Sequence, residues 1–298
     1  MIIATQNYEN IYQDYSDALE WMEQLGVDLG SGRTSNYLKM IRFWKDNYKT
    51  ASTDEAKNQY PDFVSSMFEV HDFIDIYKSF NNEKNQNLNE IVEKLKKGVK
   101  GPVNSSDETS KSTTARNFLF EALFSAKFHR PDSGVKAILN AESDTGIQID
   151  KYKIWVECKR ISTDAKIKSN VRKASKQLDQ IIKKQRGSGH RGIVALEITR
   201  ILNPDDELLV SNDDLSLSRS VDKMMDDFVL KYSSIWQEIY TKKSNKILGI
   251  VIRFSFMSAS EERKLLVHAS QWGLNPRLGI NDGEKLLLKN LVANINKH

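Results

Sequence analysis

The chain has 298 residues, of which 39% are hydrophobic and 28% charged, so it has the composition of a folded protein and a length at which two domains are the default expectation. Its single cysteine excludes an intrachain disulfide framework and a cysteine-based zinc site, which fits a reducing cytoplasm. The sequence starts without the basic and apolar regions of a secretory signal, and no stretch has the roughly 20 apolar residues that cross a bilayer. We therefore expect a cytoplasmic protein with no membrane partner.

The positive charge is concentrated in one part of the chain. Residues 151–200 hold 14 lysine and arginine residues against 4 acidic ones, a net charge of +10, whereas the whole chain carries +4. Residues 1–97 carry 11 basic and 16 acidic residues, a net charge of −5. A basic segment beside neutral or acidic surroundings is typical of proteins that bind a polyphosphate. The alternative interpretation is a solvated, lysine-rich helix.

Residues 1–97 are predicted to form a smaller, all-helical N-terminal domain. Apolar residues recur at spacings of three and four from Leu19 and again from Tyr37, and further helices are predicted at 62–80 and 88–98. A group of basic residues with interleaved aromatics could touch DNA, and a role in protein contacts or dimerisation is the alternative. These basic residues are Arg33, Lys39, Arg42, Lys45 and Lys49.

A domain linker is predicted at 98–112, where the segment GPVNSSDETSK is rich in Gly, Pro, Ser and Asp and has no apolar period. The second predicted domain covers 113–298. It begins with an apolar helix at 113–128, and three short strand-like runs follow, at 134–139, 144–149 and 153–158.

The rest of this domain alternates between helices and strands. A long basic helix is predicted over 165–186, then a strand at 192–199, helical stretches over 219–241, a strand at 247–256 and a final helix near 284–295. The acidic residues at 205–207 are expected to be solvated loop charges. This order predicts an α/β domain whose last strands are buried on both faces.

The chemically informative segment is ESDTGIQIDKYKIWVECKR. Glu157 and Lys159 lie two residues apart in a predicted strand, so their side chains leave the same face, while Cys158 points into a core. The charged pair marks either a solvent-exposed face of the strand or a functional site. Trp155 on the same face indicates that this face is at least partly covered. Magnesium prefers hard oxygen ligands and usually takes one or two carboxylates. A neighbouring ammonium can orient the attacking water or offset charge on a phosphate.

The motif formed by Asp144 and, thirteen residues later, Glu157-Cys158-Lys159 resembles the PD-(D/E)xK phosphodiesterase superfamily, the fold of many restriction and repair nucleases. The resemblance covers about 113–256 and implies a restriction-endonuclease-like mixed sheet flanked by helices. Ser143 stands where the family's proline would be. The motif is short and degenerate, but its placement on a predicted hairpin between helices strengthens it.

The resemblance implies a site larger than the motif. The family's upstream glutamate corresponds to Glu121, and the glutamine of the helix after the ExK strand corresponds to Gln177. The implied catalytic residues are Asp144, Glu157, Lys159, Glu121 and Gln177, with Asp144, Glu157 and Glu121 as ligands of Mg²⁺ or Mn²⁺. Alternatively, Glu121 pairs with Arg116 or Lys127 or emerges at the helix surface, and Gln177 is an ordinary exposed helix residue.

The basic helix is the expected nucleic-acid contact. Its phosphate-binding residues are predicted to be Lys166, Lys168, Arg172, Lys173 and Lys176, which would give salt-dependent affinity with little sequence choice. The expected function is a divalent-metal-dependent endonuclease acting on DNA, in restriction or phage defence. The alternatives are a non-cleaving nucleic-acid-binding module of the same fold and an RNA-directed nuclease. A homodimer is left open.

The hairpin register predicts which aspartate joins Glu157. If the hairpin turns at 151–152, Gly146 faces Glu157 and leaves room for a metal and a phosphate. Asp144 is then the diagonal neighbour of Glu157, about 7–8 Å away, within reach of a shared metal. Asp150 would lie about 13 Å along the strand, which is too far.

Overall fold

The computed structural model describes residues 2–4, 7–109, 112–262 and 265–295. The helices are α1 (Tyr8–Gln24), α2 (Arg33–Asn47), α3 (Thr53–Phe80), α4 (Asn89–Gly98), α5 (Thr114–Lys127), α6 (Asp164–Lys184), α7 (Thr199–Leu202), α8 (Asp214–Lys231), α9 (Ser233–Lys242) and α10 (Asp282–Ile295). The strands are β1 (Ile2–Ala4), β2 (Val135–Ala137), β3 (Thr145–Ile149), β4 (Tyr152–Arg160), β5 (His190–Glu197), β6 (Leu209–Ser211), β7 (Ile247–Ser260) and β8 (Leu265–Pro276). Across these ranges, no helix combines the length and the apolar character that crossing a bilayer requires.

The strands form one mixed sheet in the order β1-β8-β7-β5-β4-β3-β2, with β6 added beside β7. The three central strands β4, β5 and β7 run parallel. Antiparallel pairings extend the sheet on both sides, β2-β3-β4 on one and β7-β8-β1 on the other. The predicted α/β fold class is confirmed.

Helices cover both faces of the sheet, as the apolar runs of the central strands require. Ile193 and Ala195 of β5 pack in a core that also contains α5 and the N-terminal helices. Val194 and Leu196 point to the opposite face, where the core is shared with α6, α8 and α9. This alternation confirms the prediction that the strand is buried on both faces.

The N-terminal helices pack on the same core as the sheet. Phe73 of α3 and Leu95 of α4 belong to one hydrophobic cluster with Phe124 of α5 and Trp272 of β8. The region is not wholly helical as predicted, because residues 2–4 pair with β8. The domain boundary at 98–112 stays a prediction.

Helix α3 begins earlier than the predicted residue 62. The Ser52 side chain accepts a hydrogen bond from the backbone N–H of Glu55, and the Glu55 carboxylate accepts one from the backbone N–H of Ser52. This capping box satisfies two backbone donors and fixes the helix start. Pro61 is accommodated inside the helix.

The hairpin between β3 and β4 has a register two residues away from the predicted one. Thr145 pairs with Val156 and Gly146 with Trp155, so the predicted pairing of Gly146 with Glu157 is wrong. The turn comes earlier because Asp150 adopts a left-handed φ of 49°, which Asp tolerates better than most residues. An even slip leaves every side chain on its predicted face.

Gly146 does not make room for a metal and a phosphate. A β-carbon at this position would lie 3.2 Å from the Cβ atom of Ile138 and 3.4 Å from the carbonyl oxygen of Ile154. The glycine instead lets Ile138 approach the hairpin closely.

Candidate active site

The β3–β4 hairpin brings the three motif residues together. Asp144 comes opposite Glu157, one residue beyond the last pair of the ladder, Thr145 with Val156. The Asp144 carboxylate accepts a hydrogen bond from the backbone N–H of Cys158 at 2.9 Å. The Lys159 ammonium donates to Asp144 Oδ2 and to Glu157 Oε2, at 3.0 Å each. Two carboxylates therefore share one ammonium at the end of the hairpin.

Burial and crowding of like charges set the electrostatics of this cluster. Glu157 is 2% exposed, and its burial, with the charge of Asp144 and a hydrogen bond to it, raises the pKa of Glu157 to about 7. Burial opposes the charge of Lys159, but Asp144 and Glu157 outweigh it and raise the lysine pKa above its ordinary value. The side chain of Lys159 is consequently protonated at neutral pH.

Ser143, the residue before Asp144, has a structural role. Its hydroxyl accepts a hydrogen bond from the backbone N–H of Val156 at 3.2 Å and donates to the carbonyl of Thr145. The hydroxyls of Thr145 and Ser125 lie 2.5 Å apart, which ties β3 to α5. These bonds hold the segment that carries Asp144 against the strand that carries Glu157.

Glu121 lies on α5 beside the motif residues. Burial and the nearby Asp144 raise the pKa of Glu121 to about 7. Its ion-pair partner is Lys94 of α4, with Nζ and Oε2 3.6 Å apart. Arg116, one of the expected partners, instead binds Glu69 at 2.5 Å.

Lys94 is a site residue that the sequence did not reveal. It is 6% exposed, and its ammonium lies 2.6 Å from Glu90 Oε1 while also donating to the backbone carbonyl of Asp144. The pair with Glu90 spans one helical turn and is visible as a local signal. The contact with Asp144 joins residues fifty positions apart in the sequence, so no local pattern indicates it. A helix of the N-terminal region therefore positions the predicted metal ligand.

The carboxylates of this cluster are the groups that could hold a metal ion. In the described ranges, no group of three or more His, Cys, Asp or Glu side chains is arranged to hold a metal ion. The predicted set of three carboxylates, with Glu121 as the third, is therefore not assembled around one point. Magnesium commonly takes only one or two carboxylates and completes its shell with water and phosphate oxygens. Asp144 and Glu157 fit that requirement by chemistry, with the Lys159 ammonium between them.

Gln177 lies half-buried on α6, the helix that covers the face of Glu157. Val171 and Leu178 of this helix pack in the same cluster as Trp155, which shares the face of β4 with Glu157. The side-chain oxygen of Gln177 is buried and accepts no hydrogen bond from the described part of the chain. Gln177 is thus not an ordinary exposed residue.

The predicted phosphate-binding residues of α6 are all exposed: Lys166, Lys168, Arg172, Lys173 and Lys176. Arg172 is engaged by Glu238 of α9 through two hydrogen bonds, of 2.9 and 2.7 Å. In the N-terminal basic group, Arg33 is 1% exposed and pairs with Glu69 at 2.5 Å, so this residue is not available for the DNA contact that the sequence left open.

A chain of alternating buried charges joins the N-terminal helices to the sheet. Arg160, Glu197 and Arg253 are neighbours in register on β4, β5 and β7. Glu108, from the predicted linker, pairs with Arg160 at 2.5 Å. The full series, called here the buried ion-pair chain, runs Arg33, Glu69, Arg116, Glu108, Arg160, Glu197, Arg253 and Asp72. Removing one member would leave its partner charge buried, which costs about 3–5 kcal/mol.

Comparison with known proteins gave no match, whether to a family model, to a curated protein or to a solved structure. The candidate site is therefore argued from its own geometry.

Proposed function

We propose that this chain is a divalent-metal-dependent nuclease of restriction-endonuclease-like fold that hydrolyses phosphodiester bonds in DNA. The observation that supports it most is the sharing of Lys159 by Asp144 and Glu157, at 3.0 Å from each. Together with the hairpin and the basic helix α6, this cluster has the groups that phosphodiester hydrolysis needs: hard oxygen ligands, a fixed cation and a surface for phosphates.

In this mechanism Asp144 and Glu157 would hold Mg²⁺ or Mn²⁺. Lewis acidity and the activation of water at neutral pH are what such an ion supplies when bound. Lys159 offsets the charge that develops on the phosphate and orients the attacking water. It acts as a cation rather than a base, because the two carboxylates hold its proton. Lys94 fixes Asp144 through the backbone carbonyl.

The first expected result concerns metal dependence. Plasmid, linear DNA, single-stranded DNA and RNA are incubated with the protein in Mg²⁺, in Mn²⁺ and in EDTA, and products are resolved on gels. DNA should be cut in either metal and left intact in EDTA. Undiminished cutting in EDTA would refute the mechanism. Cutting of RNA alone would assign the RNA-directed alternative, and binding without cutting would assign the non-cleaving module.

The second expected result concerns the phosphate contacts. Lys173→Ala with Lys176→Ala should weaken DNA binding in low salt and flatten its dependence on salt. Each lost phosphate contact lowers the slope of log K against log salt by about 0.9. Fluorescence anisotropy over a salt series measures this slope in EDTA. Lys223→Ala with Lys285→Ala removes the same charge from exposed sites on α8 and α10 and is the matched control. Equal slopes for both double variants would count against α6 as the DNA-binding surface.

A further inference from the structure

A cavity of about 50 Å³ lies where β4 and β5 end beside β7. Arg160, Glu197 and Arg253 of the buried ion-pair chain line it. Ligands of α/β proteins commonly bind at the carboxyl ends of parallel strands. One ordered water needs about 10–15 Å³ of such volume, so the cavity has room for several water-sized groups, on the order of a phosphate.

The unmatched polar atoms of this cavity include hydrogen-bond donors. Ser255 is 1% exposed and its hydroxyl has no partner within the described ranges, and neither has the Nε atom of Arg253. Two carboxylate oxygens of the lining, Glu69 Oε2 and Glu197 Oε2, likewise accept no hydrogen bond, but each lies within ion-pair distance of an arginine, 2.5 Å from Arg33 Nη1 and 3.2 Å from Arg160 Nε. Asp72 pairs with Arg253. Donors without partners favour a ligand that is rich in acceptors.

An aspartate lies at the mouth of the cavity among donors that suit a phosphate. Asp206 Oδ2 accepts hydrogen bonds from the hydroxyls of Ser65 and Ser105, at 2.9 Å each. Arg200 approaches Asp206 Oδ1 only to 3.6 Å, beyond normal hydrogen-bond length. The side chain of Asp206 is 11% exposed, so the expectation of a solvated loop charge is wrong. Two hydroxyls and a guanidinium are donors that also bind phosphate oxygens.

The charges around the cavity balance only while Asp206 stays in place. Four arginines and four carboxylates line the cavity: Arg116, Arg160, Arg200 and Arg253 against Glu69, Asp72, Glu197 and Asp206. If Asp206 swings out, one positive charge is left in excess at the mouth. We propose that this cavity binds a tetrahedral oxyanion of the phosphate-monoester class, for which Asp206 is a built-in competitor.

Binding of this oxyanion requires neither the metal nor the cleavage proposed above. The ligand is either a free phosphate or the terminal phosphate of a polynucleotide, since both present the same oxygens.

Titration calorimetry with inorganic phosphate in EDTA tests the proposal. Asp206→Asn should bind phosphate about tenfold more tightly than the unchanged protein, because it removes the competing charge and keeps an oxygen for the two serines. Arg200→Ala should weaken binding about tenfold, and Arg219→Ala, which removes an exposed arginine of α8, should not change it.

A second variant separates binding from folding. Ser255→Ala removes a hydroxyl that has no partner, so it should keep the melting temperature while weakening phosphate binding severalfold. No saturable binding by either the unchanged protein or Asp206→Asn would overturn the proposal. Equal affinity in Arg200→Ala, Ser255→Ala and Arg219→Ala would overturn it as well, because it would place the phosphate elsewhere.

Oligonucleotides of one sequence, with and without a terminal phosphate, distinguish the two sources in EDTA. Tighter binding of the phosphorylated strand that disappears in Arg200→Ala assigns the cavity to a polynucleotide end. Equal binding of both strands, with inorganic phosphate still bound, assigns it to a free phosphate.

Discussion

Glu157→Gln is expected to lower DNA cleavage by at least about 10²-fold, the scale on which loss of one group that stabilises the transition state reduces kcat. The amide keeps the shape of a side chain that is only 2% exposed, so the fold should be retained. It removes the charge that, in the proposed mechanism, holds the metal with Asp144. Cleavage kinetics at saturating Mg²⁺ and DNA affinity in EDTA measure the two effects separately. Retained cleavage would exclude Glu157 as a metal ligand.

The companion variant Lys159→Met keeps the aliphatic stem and removes the ammonium. Cleavage should again be lost, and in EDTA the protein should be destabilised, because Asp144 and Glu157 are left without the cation at 3.0 Å. Breaking a buried ion pair costs about 3–5 kcal/mol. Mg²⁺ should then raise the melting temperature of Lys159→Met more than that of the unchanged protein, since the metal replaces the missing charge.

A lysine elsewhere on the strand provides the control for this measurement. Lys153→Met removes an exposed ammonium from β4 and should leave cleavage and the metal response unchanged. An equal Mg²⁺ response in Lys159→Met and in the unchanged protein would contradict a metal position next to Lys159.

The elements with strong local periodicity were predictable from the sequence. The apolar stripe of α6 predicted 165–186, and the helix spans Asp164–Lys184. The apolar run of β5 and the short strand-like run of β4 likewise predicted strands within a few residues of their ends. Such segments can be recognised from their own sequence, because the spacing of their apolar residues decides which face is buried.

Strand β8 was missed because both of its faces are buried and each carries polar residues. His268 and Gln271 are 4% and 8% exposed, so buried polar residues interrupt the apolar pattern by which a buried strand is recognised in a sequence. The partners that make this burial tolerable are distant: His268 stacks on His71 of α3, and Gln271 donates to Asp222 of α8. Only tertiary contacts explain this burial.

The assembly of the candidate site was predictable in part. The shared face of Glu157 and Lys159 followed from strand alternation alone, and it survives the change of register. Lys94 was beyond prediction, since its link to Asp144 depends on how α4 packs beside the hairpin. The same holds for Asp206, whose serine partners come from α3 and from the segment before α5.

The choice between two aspartates gives the most specific expectation for the site. Asp144→Asn should reduce cleavage by at least about 10²-fold, because it removes one of the two carboxylates that share Lys159. The asparagine oxygen can still accept the hydrogen bond from the backbone of Cys158, so the hairpin should remain folded.

Asp150→Asn makes the same chemical change at the turn and is the matched variant. Asp150 is exposed and has a φ of 49°, a conformation that asparagine adopts readily, so stability should be unchanged and cleavage should stay within about twofold. Rates for both variants are measured on one plasmid substrate at equal Mg²⁺, with melting curves to confirm folding. If Asp150→Asn were the inactive variant and Asp144→Asn the active one, the carboxylate that acts together with Glu157 would be that of Asp150. The hairpin register in which Asp144 lies opposite Glu157 would then be excluded for the active protein.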